Sequence, residues 1–444
     1  MYDTAPIMLT DSYKLSHFNQ YPPNMAAMQS YLESRGGEYN AIPFFGLKYY
    51  VDNYLDTILD IDVEEADFFA KMHGVSFNRG GFNYISELGY WPVKIIAKPE
   101  GTICRPNDVL MTIESTDENV PWVANYLETL LMKVWYPCTV AAKAYHVHKI
   151  IEKQYDSIGA DKVGIDFVYH NFGDRGSTSV EAAALGGIAH LTSFKGTDNF
   201  NCLRLACNLY GDETGVGFSI PATEHSTVTS WGKTDEYVMI AKYLENYKNS
   251  PIIACVLDSY NIFSAVDFVT SHLKAKIESP EYPIFVIRPD SGNPLDVIPS
   301  LLSIMEVNNV GYSVHEHRGR EYRLFNKYRI IWGDGIDPQT IDNILSLVIS
   351  LGYSPANFAF GSGGDLMQKV DRDTCKFAIK CCAVKFKGED KFRSVGKEPL
   401  HDGFKKSKMG YQTVENGIVY YDNGFRAKSE SFEEVRARVR AGIR

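Results

Sequence analysis

The sequence predicts an α/β fold, and the pattern of its second half carries that prediction. From about Gly164 onward short apolar runs recur, and nearly all of them end in polar, charged or glycine residues. The starts of these runs lie roughly 25–45 residues apart, which suits a strand followed by a helix. Continuous apolar runs indicate strands that are buried on both faces, and such strands pair in parallel.

Seven runs of this kind follow one another along the chain. They are IDFVYHNFGDRG (165–176), AHLTSFKGTD (189–198), VGFSIPATEH (216–225), IIACVLDSYN (252–261), PIFVIRPDSG (283–292), YRIIWGDGID (328–337) and NFAFGSGGD (357–365). Seven strand–helix units in series fit an α/β barrel better than an open sheet, and the open sheet stays the alternative. In barrel enzymes the active site lies at the C-terminal ends of the strands. The residues of these runs that could serve in catalysis or ligand binding lie at those same ends.

The two ends of the chain follow other patterns. Residues 63–72 and 120–134 predict helices, and residues 91–116 resemble short strands separated by turn residues. The tail is rich in Lys and Arg; it contains a hairpin-like stretch at 417–424 and a final helix at 431–440. Ser and Glu at the first and fourth positions of that helix fit a capping box.

Composition narrows the class of protein. The chain has 444 residues, of which 45% are hydrophobic and 23% charged, so it can bury a large core in two or three structural units. The net charge of −10 predicts a surface that does not attract nucleic acid, so an anionic substrate needs a local cluster of Arg and Lys.

The cysteine pattern and the N-terminal sequence indicate the cellular compartment in which the protein is expected. The eight Cys form no C-x-x-C pair and no Cys/His set with zinc spacing, which favours buried free thiols in a reducing cytosol. The first residues lack a basic stretch followed by an apolar one, and no run approaches the ~18 apolar residues of a membrane span. We therefore expect a soluble, cytoplasmic protein that uses no membrane.

Two glycine-containing turns end strands late in the chain. Phe360-Gly-Ser-Gly-Gly-Asp365 follows an apolar run and opens a helix, so its small residues allow backbone N–H groups to close on a phosphate. An ordinary tight turn is the alternative. Gly333-Asp334-Gly335 ends the preceding strand, and Asp334 is there either a ligand or a turn former.

An arginine and two carboxylates end the middle strands. Arg288 and Asp290 stand two apart, so the guanidinium suits a phosphate and the carboxylate suits a ribose hydroxyl or Mg²⁺. A mutual surface ion pair is the alternative. Asp258 directly follows an apolar run, as either a helix cap or a ligand.

The first three strand ends carry a histidine, an arginine, an acid and an aromatic. His225 is either structural or, oriented by a carboxylate such as Asp258, a base or a nucleophile toward phosphate. Arg175 and Asp198 end the first two strands. Phe172 is either a platform for a planar ligand or a core aromatic. Together these residues suit a Mg²⁺-bound phosphorylated sugar that meets a flat heterocycle.

The motifs, in order, resemble those of the nicotinamide phosphoribosyltransferases over nearly the whole chain. They are Asp11-Ser-Tyr-Lys14, Gln20-Tyr-Pro-Pro, Phe172-Gly with Arg175-Gly, Phe194-Lys-Gly-Thr-Asp198, Glu224-His-Ser-Thr, Asp258-Ser-Tyr, Arg288-Pro-Asp-Ser-Gly-Asn-Pro, Gly333-Asp-Gly and Phe360-Gly-Ser-Gly-Gly. The resemblance implies transfer of the phosphoribosyl group of 5-phosphoribosyl-1-pyrophosphate to nicotinamide, giving nicotinamide mononucleotide and pyrophosphate in NAD salvage. It also implies Mg²⁺, assistance by ATP hydrolysis through a phosphohistidine, and a homodimer with shared active sites.

The fold implied by the resemblance is an irregular α/β barrel with a second, β-rich α+β domain built from both chain ends. Residues 1–150 would form the N-terminal α+β domain and 151–380 the catalytic barrel. Residues 381–444 would be a basic C-terminal segment that joins the first domain.

The resemblance also assigns roles residue by residue. Phe172 would stack on the pyridine ring, with Tyr13 of the partner subunit on the other face, and Asp198 would accept a hydrogen bond from the carboxamide. His225 would be the phosphorylated residue, with Glu224 beside it and Asp258 supporting it. The remaining residues would bind pyrophosphate, ribose or phosphate, some of them across the dimer; they are Arg175, Ser219, Arg288, Asp290, Gly333, Asp334, Gly363, Gly364, Arg372, Arg35, Lys380, Lys397 and Lys405. Asp258 and Asp290 would hold the metal.

Three positions depart from the family motifs. Asp174 stands where the family has Tyr, Asn171 where it has Asp, and Asp365 where it has a third Gly. Asp174 adds negative charge near a pyrophosphate site. The alternative functions are a nicotinate phosphoribosyltransferase, a non-catalytic nucleotide-binding or signalling protein on the same scaffold, and an unrelated barrel lyase or aldolase.

Overall fold

The computed structural model describes residues 6–55, 62–211, 215–399, 406–426 and 430–443. Its strands are, in chain order, β1 Met25–Ser34, β2 Ile42–Pro43, β3 Val93–Ala97, β4 Ile103–Cys104, β5 Met111–Ser115, β6 Tyr169–Asn171, β7 Gly196–Thr197, β8 Ile252–Val256, β9 Ile284–Arg288, β10 Tyr312–His317, β11 Arg320–Phe325, β12 Tyr328–Trp332, β13 Phe358–Ser362, β14 Phe377–Phe386, β15 Arg393–Ser394, β16 Ile418–Asp422 and β17 Phe425–Arg426.

The α-helices are, in chain order, α1 Leu47–Tyr54, α2 Val63–His73, α3 Arg79–Leu88, α4 Val123–Tyr126, α5 Glu128–Met132, α6 Trp135–Ser157, α7 Val180–His190, α8 Phe200–Tyr210, α9 His225–Thr229, α10 Glu236–Asn246, α11 Ile262–Ser271, α12 Lys274–Ile277, α13 Pro294–Val307, α14 Pro338–Ser350, α15 Gly364–Gln368 and α16 Phe432–Ile443. Short 3-10 helices include Ser12–Asn19 and Asp174–Gly176. Within the described residues, no helix combines the length and the apolar character needed to cross a bilayer.

The chain divides into two compact units. The first comprises Met1–Ala142, Ala206–Asp212 and Val370–Arg444, and the second comprises Lys143–Leu205 and Glu213–Lys369.

The second unit is built on a parallel sheet with the strand order β7-β6-β13-β12-β9-β8. Parallel bridges join Gly196 of β7 to Phe218, and Ala254 of β8 to Ala222. The stretch 218–222 therefore links the two edge strands and closes the sheet irregularly. All seven predicted runs contribute to this closed arrangement, so the barrel is confirmed over the open sheet.

The strands form as predicted because their side chains are buried on both faces. Neighbouring residues, whose side chains point to opposite faces, are buried together in three strands: Ile253 and Ala254 of β8, Phe285 and Val286 of β9, and Ile330 and Ile331 of β12. The helix that follows each of two strands begins at a capping residue. Asn261 accepts from the Ser264 backbone N–H to start α11, and Asn293 caps α13 with proline in its first turn.

The first unit contains an antiparallel sheet with the strand order β15-β14-β1-β5-β3-β16-β17. Every residue of β1 is buried, and this strand pairs with β5 on one side and with β14 on the other. The sheet thus combines strands from both ends of the chain, as the resemblance implied. The predicted hairpin is confirmed in β16–β17, where Asn423 and Gly424 adopt positive φ angles of 50° and 88°.

Some expectations need correction. The helical stretch 120–134 is two short helices, α4 and α5, rather than one. The hairpin β10–β11, whose first strand is mostly exposed, lies between α13 and β12 and was not predicted from the sequence. Cys207 is exposed, so the expectation of buried thiols is wrong for that residue.

Candidate active site

Three strand ends of the second unit meet around Gly333. A Cβ atom built on Gly333 would lie 2.7 Å from Asp290 Oδ1, 3.5 Å from Arg288 Nη2 and 3.5 Å from Phe172 Cε2. Gly333 follows β12, Arg288 ends β9 and Phe172 follows β6. A side chain at position 333 would thus occupy the space in which these three predicted site residues converge.

Arg288 and Asp290 form a forked ion pair at the end of β9. Arg288 Nη2 lies 2.8 Å from Asp290 Oδ2, and Nε donates to Oδ1 at 3.2 Å. The side chains are only 21% and 15% exposed, so this is not the surface pair considered as the alternative. The Arg288 guanidinium also lies 5.1 Å from the centre of the Phe172 ring, within range of a cation–π interaction.

His225 contacts Asp258 at the ends of two neighbouring strand segments. Its Nε2 lies 3.1 Å from Asp258 Oδ1. The other carboxylate oxygen of Asp258 accepts from the Asp290 backbone N–H at 3.0 Å and from Ser291 Oγ at 2.6 Å. Asp258 is nearly buried while His225 is half exposed. Since Asn261 caps α11, Asp258 does not serve as that helix cap.

Asp198 lies beside Ser219. The Ser219 hydroxyl donates to Asp198 Oδ1 at 2.6 Å. The helix that follows, α8, is capped by its neighbour, because Asn199 Oδ1 accepts from the Cys202 backbone N–H at 3.2 Å. The Asp198 carboxylate is therefore not used as the helix cap. Burial lowers the pKa of nearby His170, and the charge of Asp198 opposes that change.

The glycine loop 361–364 packs directly against Phe172. A Cβ on Gly361 would lie 1.9 and 2.1 Å from two carbons of the Phe172 ring, so only glycine fits there without displacing the ring. A Cβ on Gly363 would lie 3.4 Å from the Phe172 carbonyl oxygen. A Cβ on Gly176 would lie 3.9 Å from Gly364. The loop therefore lies next to the Phe172–Gly176 turn.

Arg175 and Glu224 are both exposed and lie near each other. Arg175 Nη2 is 3.8 Å from Glu224 Oε2. Glu224 also forms a capping box with Thr227 at the start of α9, whose first residue is His225. Glu224 thus has a structural role in presenting His225. Asp334 is exposed, and its carbonyl accepts from the Trp332 indole N–H at 2.8 Å.

A cavity of about 590 Å³ opens beside these residues within the second unit. Phe172, Asp198, Ser219 and Arg288 line part of it, and most of the remaining lining residues are apolar. Its chemistry suits a flat, largely apolar ring that carries one polar group.

The other predicted site residues lie in the first unit. Tyr13 is 56% exposed on the 3-10 helix Ser12–Asn19. Burial lowers the pKa of Lys380, and the positive charges of Arg35, Lys397 and Arg372 lower it further, whereas Glu128 opposes the change. The structure therefore gathers four of the predicted phosphate-binding cations into one basic cluster. Lys405 lies outside the described residues.

Two of the family departures have visible consequences. Asn171 Oδ1 accepts from the Gly173 backbone N–H at 2.8 Å, so the asparagine holds the turn after β6 through its carbonyl oxygen. Asp365 is engaged by Lys143, whose Nζ lies 2.8 Å from Asp365 Oδ2 and donates to the Asp365 carbonyl at 2.7 Å.

The carboxylates at the site suit a metal ion that is bound partly by the substrate, rather than one that is coordinated by protein ligands alone. In the part of the chain that the structure describes, no group of three or more His, Cys, Asp or Glu side chains is placed to hold a metal. Mg²⁺ is commonly bound by one or two carboxylates together with substrate phosphates. Asp290 and Asp258 fit that arrangement as the protein's contribution.

Sequence reasoning missed three residues that shape the site. Ser291 stands within a motif but was not recognised as a partner of Asp258, and Gly361 was not recognised as the neighbour of the Phe172 ring. Lys143 lies in α6, far from every motif in sequence. For Gly361 the small size of the residue was a signal that could have been used. For Lys143 no local feature of the sequence indicated its role.

Comparisons with known proteins identify the family. Residues 167–430 match the model of the nicotinate phosphoribosyltransferase (NAPRTase) family, and residues 6–95 match that of the nicotinamide phosphoribosyltransferase N-terminal domain. The chain is 42% identical, over 92% of its length and 87% of the relative, to the nicotinamide phosphoribosyltransferase of Xanthomonas campestris pv. campestris. The chain belongs to the nicotinate phosphoribosyltransferase family, in its nicotinamide phosphoribosyltransferase branch. The expected enzyme class, a pentosyltransferase, is thereby confirmed.

More distant relatives extend the comparison. The nicotinamide phosphoribosyltransferase of Mycoplasma pneumoniae is 28% identical over 94% of this chain and 97% of the relative. Among solved structures, nicotinate-nucleotide pyrophosphorylase from Pyrococcus furiosus has a TM-score of 0.60 at 13% identity, covering 99% of this chain and 97% of that one. Human nicotinic acid phosphoribosyltransferase has a TM-score of 0.58 at 14% identity, covering 97% and 93%. These likenesses confirm the fold class.

Proposed function

We propose that this nicotinamide phosphoribosyltransferase joins nicotinamide to 5-phosphoribosyl-1-pyrophosphate, with ATP hydrolysis through a phosphohistidine at His225, in a homodimer with shared sites. The observation that carries the proposal is the convergence of Phe172, Arg288 and Asp290 around Gly333. An aromatic ring, an arginine fork and a carboxylate thus lie within one small volume, which supports the proposal.

In the proposed reaction the ring nitrogen of nicotinamide bonds to C1 of the ribose while the bond from C1 to pyrophosphate breaks. The bonding electrons leave with the pyrophosphate, and the ring gains a positive charge. The attacking pyridine nitrogen carries no proton, so the step requires no general base. The task of the protein is therefore to position the two reactants and to stabilise charge on the leaving group.

Phe172 supports the ring by stacking, with Tyr13 of the partner subunit on the opposite face. Asp198, held by Ser219, accepts a hydrogen bond from the carboxamide. This contact distinguishes an amide from a carboxylate. It therefore favours nicotinamide over nicotinate, the substrate of the alternative enzyme. A carboxylate at this position could instead cap the helix that follows, but Asn199 fills that role.

Arg288 and Arg175 bind the pyrophosphate, and the glycine loop with Asp290, Gly333 and Asp334 receives the ribose and its 5-phosphate. The basic cluster of Arg35, Arg372, Lys380 and Lys397 supplies further phosphate contacts. The family motif assigns the same role to Lys405, which lies outside the described residues. Mg²⁺, held by Asp290 and Asp258 together with the pyrophosphate, would supply positive charge to the leaving group.

His225 is free for a second task because the transfer itself needs no base. Asp258 faces its Nε2 and would hold a proton on that nitrogen, which leaves the lone pair of Nδ1 to attack a phosphorus atom. In the proposed ATP step a bond forms between Nδ1 and the γ-phosphorus, ADP departs, and the phosphohistidine is later hydrolysed.

Product formation from nicotinamide and from nicotinate, each with and without ATP, tests the proposal. We expect kcat/KM for nicotinamide to exceed that for nicotinate by about a hundredfold or more, and ATP to increase the yield of mononucleotide. A preference for nicotinate would show that the enzyme is a nicotinate phosphoribosyltransferase instead. No product from either base would favour a non-catalytic nucleotide-binding protein.

A further inference from the structure

The glycine loop of the second unit ends in a carboxylate that the family motif lacks. Asp365 directly follows Gly364, so its charge stands beside the loop to which the proposed function assigns the 5-phosphate. An uncompensated carboxylate there would repel a phosphate, because two like charges at short range in a partly dry site interact strongly.

A buried lysine, Lys143, compensates the charge of Asp365. Lys143 lies in α6, and its side chain is only 4% exposed, while that of Asp365 is 12% exposed. Its Nζ lies 2.8 Å from Asp365 Oδ2 and donates to the Asp365 carbonyl at 2.7 Å. Lys369, one turn further on, lies 3.6 Å from the other carboxylate oxygen, Oδ1, but is largely exposed.

The two contacts of Lys143 act on the loop in different ways. The bond to the carbonyl fixes the backbone immediately after Gly364, and the ion pair neutralises the carboxylate and holds it against α6. Breaking a buried pair by removing one partner leaves an uncompensated charge, whereas removing both charges is often tolerated. Deleting Lys143 alone leaves a negative charge beside the glycine loop, whereas deleting both charges, or that of Asp365 alone, leaves none. Only the first change should therefore weaken the binding of a phosphate.

We propose that Lys143 is a positioning residue for phosphoribosyl transfer, which neutralises Asp365 and keeps it from opposing the phosphate at the glycine loop. Lys143 itself touches no substrate. The proposal rests on the proposed function, because that function assigns the phosphate to this loop.

The test measures KM for 5-phosphoribosyl-1-pyrophosphate, KM for nicotinamide and kcat in three variants. In Lys143→Met we expect KM for the phosphorylated sugar to rise about tenfold or more, with KM for nicotinamide within about twofold. In Asp365→Asn we expect KM for the phosphorylated sugar to stay within about threefold of wild type, and the double variant should behave like Asp365→Asn.

Lys327→Met is the matched control. Lys327 Nζ likewise donates to a backbone carbonyl, that of Tyr282 at 2.6 Å, but Lys327 precedes β12 and so lies at the end of the sheet opposite the site. This variant loses a partly buried lysine of the same unit without touching the glycine loop. We expect its KM for both substrates to equal that of wild type.

Three results would overturn the proposal: an unchanged KM for the phosphorylated sugar in a folded Lys143→Met, an equal rise of both KM values, or a rise in Asp365→Asn as large as in Lys143→Met. If Lys143→Met does not fold, the double variant decides, because the proposal requires it to fold and to keep KM within about threefold. A wild-type enzyme without transferase activity would instead refute the proposed function.

Discussion

Asp258 binds His225 through one carboxylate oxygen and the loop after β9 through the other. The first contact measures 3.1 Å, and the second oxygen accepts from the Asp290 N–H at 3.0 Å and from Ser291 at 2.6 Å. The histidine proposed to carry phosphate and the loop proposed to grip the phosphorylated sugar therefore share one nearly buried carboxylate. A movement of His225 or of the loop after β9 would therefore change the position of the other through Asp258.

His225→Ala should abolish ATP hydrolysis while leaving a slow transfer that does not depend on ATP, because the transfer step needs no base at this position. The measurement is release of ADP beside formation of mononucleotide. His272→Ala, which removes an exposed histidine elsewhere in the same unit, is the control and should leave both rates unchanged. Undiminished ATP hydrolysis in His225→Ala would refute the phosphohistidine.

Arg288→Lys should lower kcat/KM by about tenfold or more, which corresponds to ~1.5–3 kcal/mol for a hydrogen bond to a charged group. A guanidinium binds two oxygens at once, as Arg288 does with Asp290, and an ammonium cannot. Arg323→Lys is a matched control, since Arg323 also pairs with a carboxylate, Glu306, and lies over an aromatic ring, 4.1 Å from that of Tyr353. Wild-type kinetics in Arg288→Lys would exclude a bidentate role.

Asp198→Ser should reduce turnover of nicotinamide and raise the relative use of nicotinate. Facing nicotinate, the Asp198 carboxylate would set two like charges about 4 Å apart, a repulsion on the order of 4 kcal/mol at an effective dielectric near 20 before relaxation. The ratio of the two kcat/KM values is the measurement, and loss of stability alone would lower both together. An unchanged ratio would rule out Asp198 as the selector.

Gly361→Ala should raise KM for nicotinamide by about tenfold or more, because the added methyl group must displace the Phe172 ring. Steady-state kinetics with nicotinamide as the varied substrate gives the answer. Gly80→Ala, at a helical glycine of α3 where an added Cβ would meet only one side-chain atom, 4.0 Å away, should leave KM unchanged. Normal nicotinamide binding in Gly361→Ala would show that the ring position is not critical.

Mixing inactive Tyr13→Ala chains with inactive Arg288→Ala chains should restore partial activity. In a shared-site dimer one hybrid site keeps both Tyr13 and Arg288, whereas neither parent dimer has such a site. Activity is followed while subunit exchange is confirmed independently, for example by differently tagged chains. No recovery despite exchange would contradict the proposal that Tyr13 serves the partner's site.

The sequence predicted the strands of the second unit well because a strand buried on both faces leaves a continuous apolar run. Closure of the barrel was also within reach, since the run 216–225 stands in series with the others and its residues 218–222 join the two edges. The hairpin β10–β11 escaped prediction because its first strand is mostly exposed and lacks apolar alternation. Its turn is Arg318-Gly319, with φ of 53° and 73°, rather than the usual Asn-Gly.

The predicted site residues of the second unit converge, whereas their partners could not be predicted from local patterns. Strand-end position places Phe172, Arg288 and Gly333 at one edge, since the carboxyl ends of parallel strands meet there. The pairing of Lys143 with Asp365 links residues 222 positions apart, and nothing in the sequence near either residue indicates the other. Such long-range pairs depend on packing geometry, which periodicity does not encode.

The central strand of the first unit has a consequence for biosynthesis. β1 lies between β5 and β14, and Ser34 donates to the Cys375 carbonyl, 341 residues later. A ribosome delivers residues in order, so β1 emerges long before its second neighbour exists, and one edge of this wholly buried strand must wait unpaired. The parallel strands of the second unit come from one nearly continuous stretch and can assemble during that wait. We therefore expect the nascent chain to rely on chaperones that shield β1 until residues 377–386 have been synthesised.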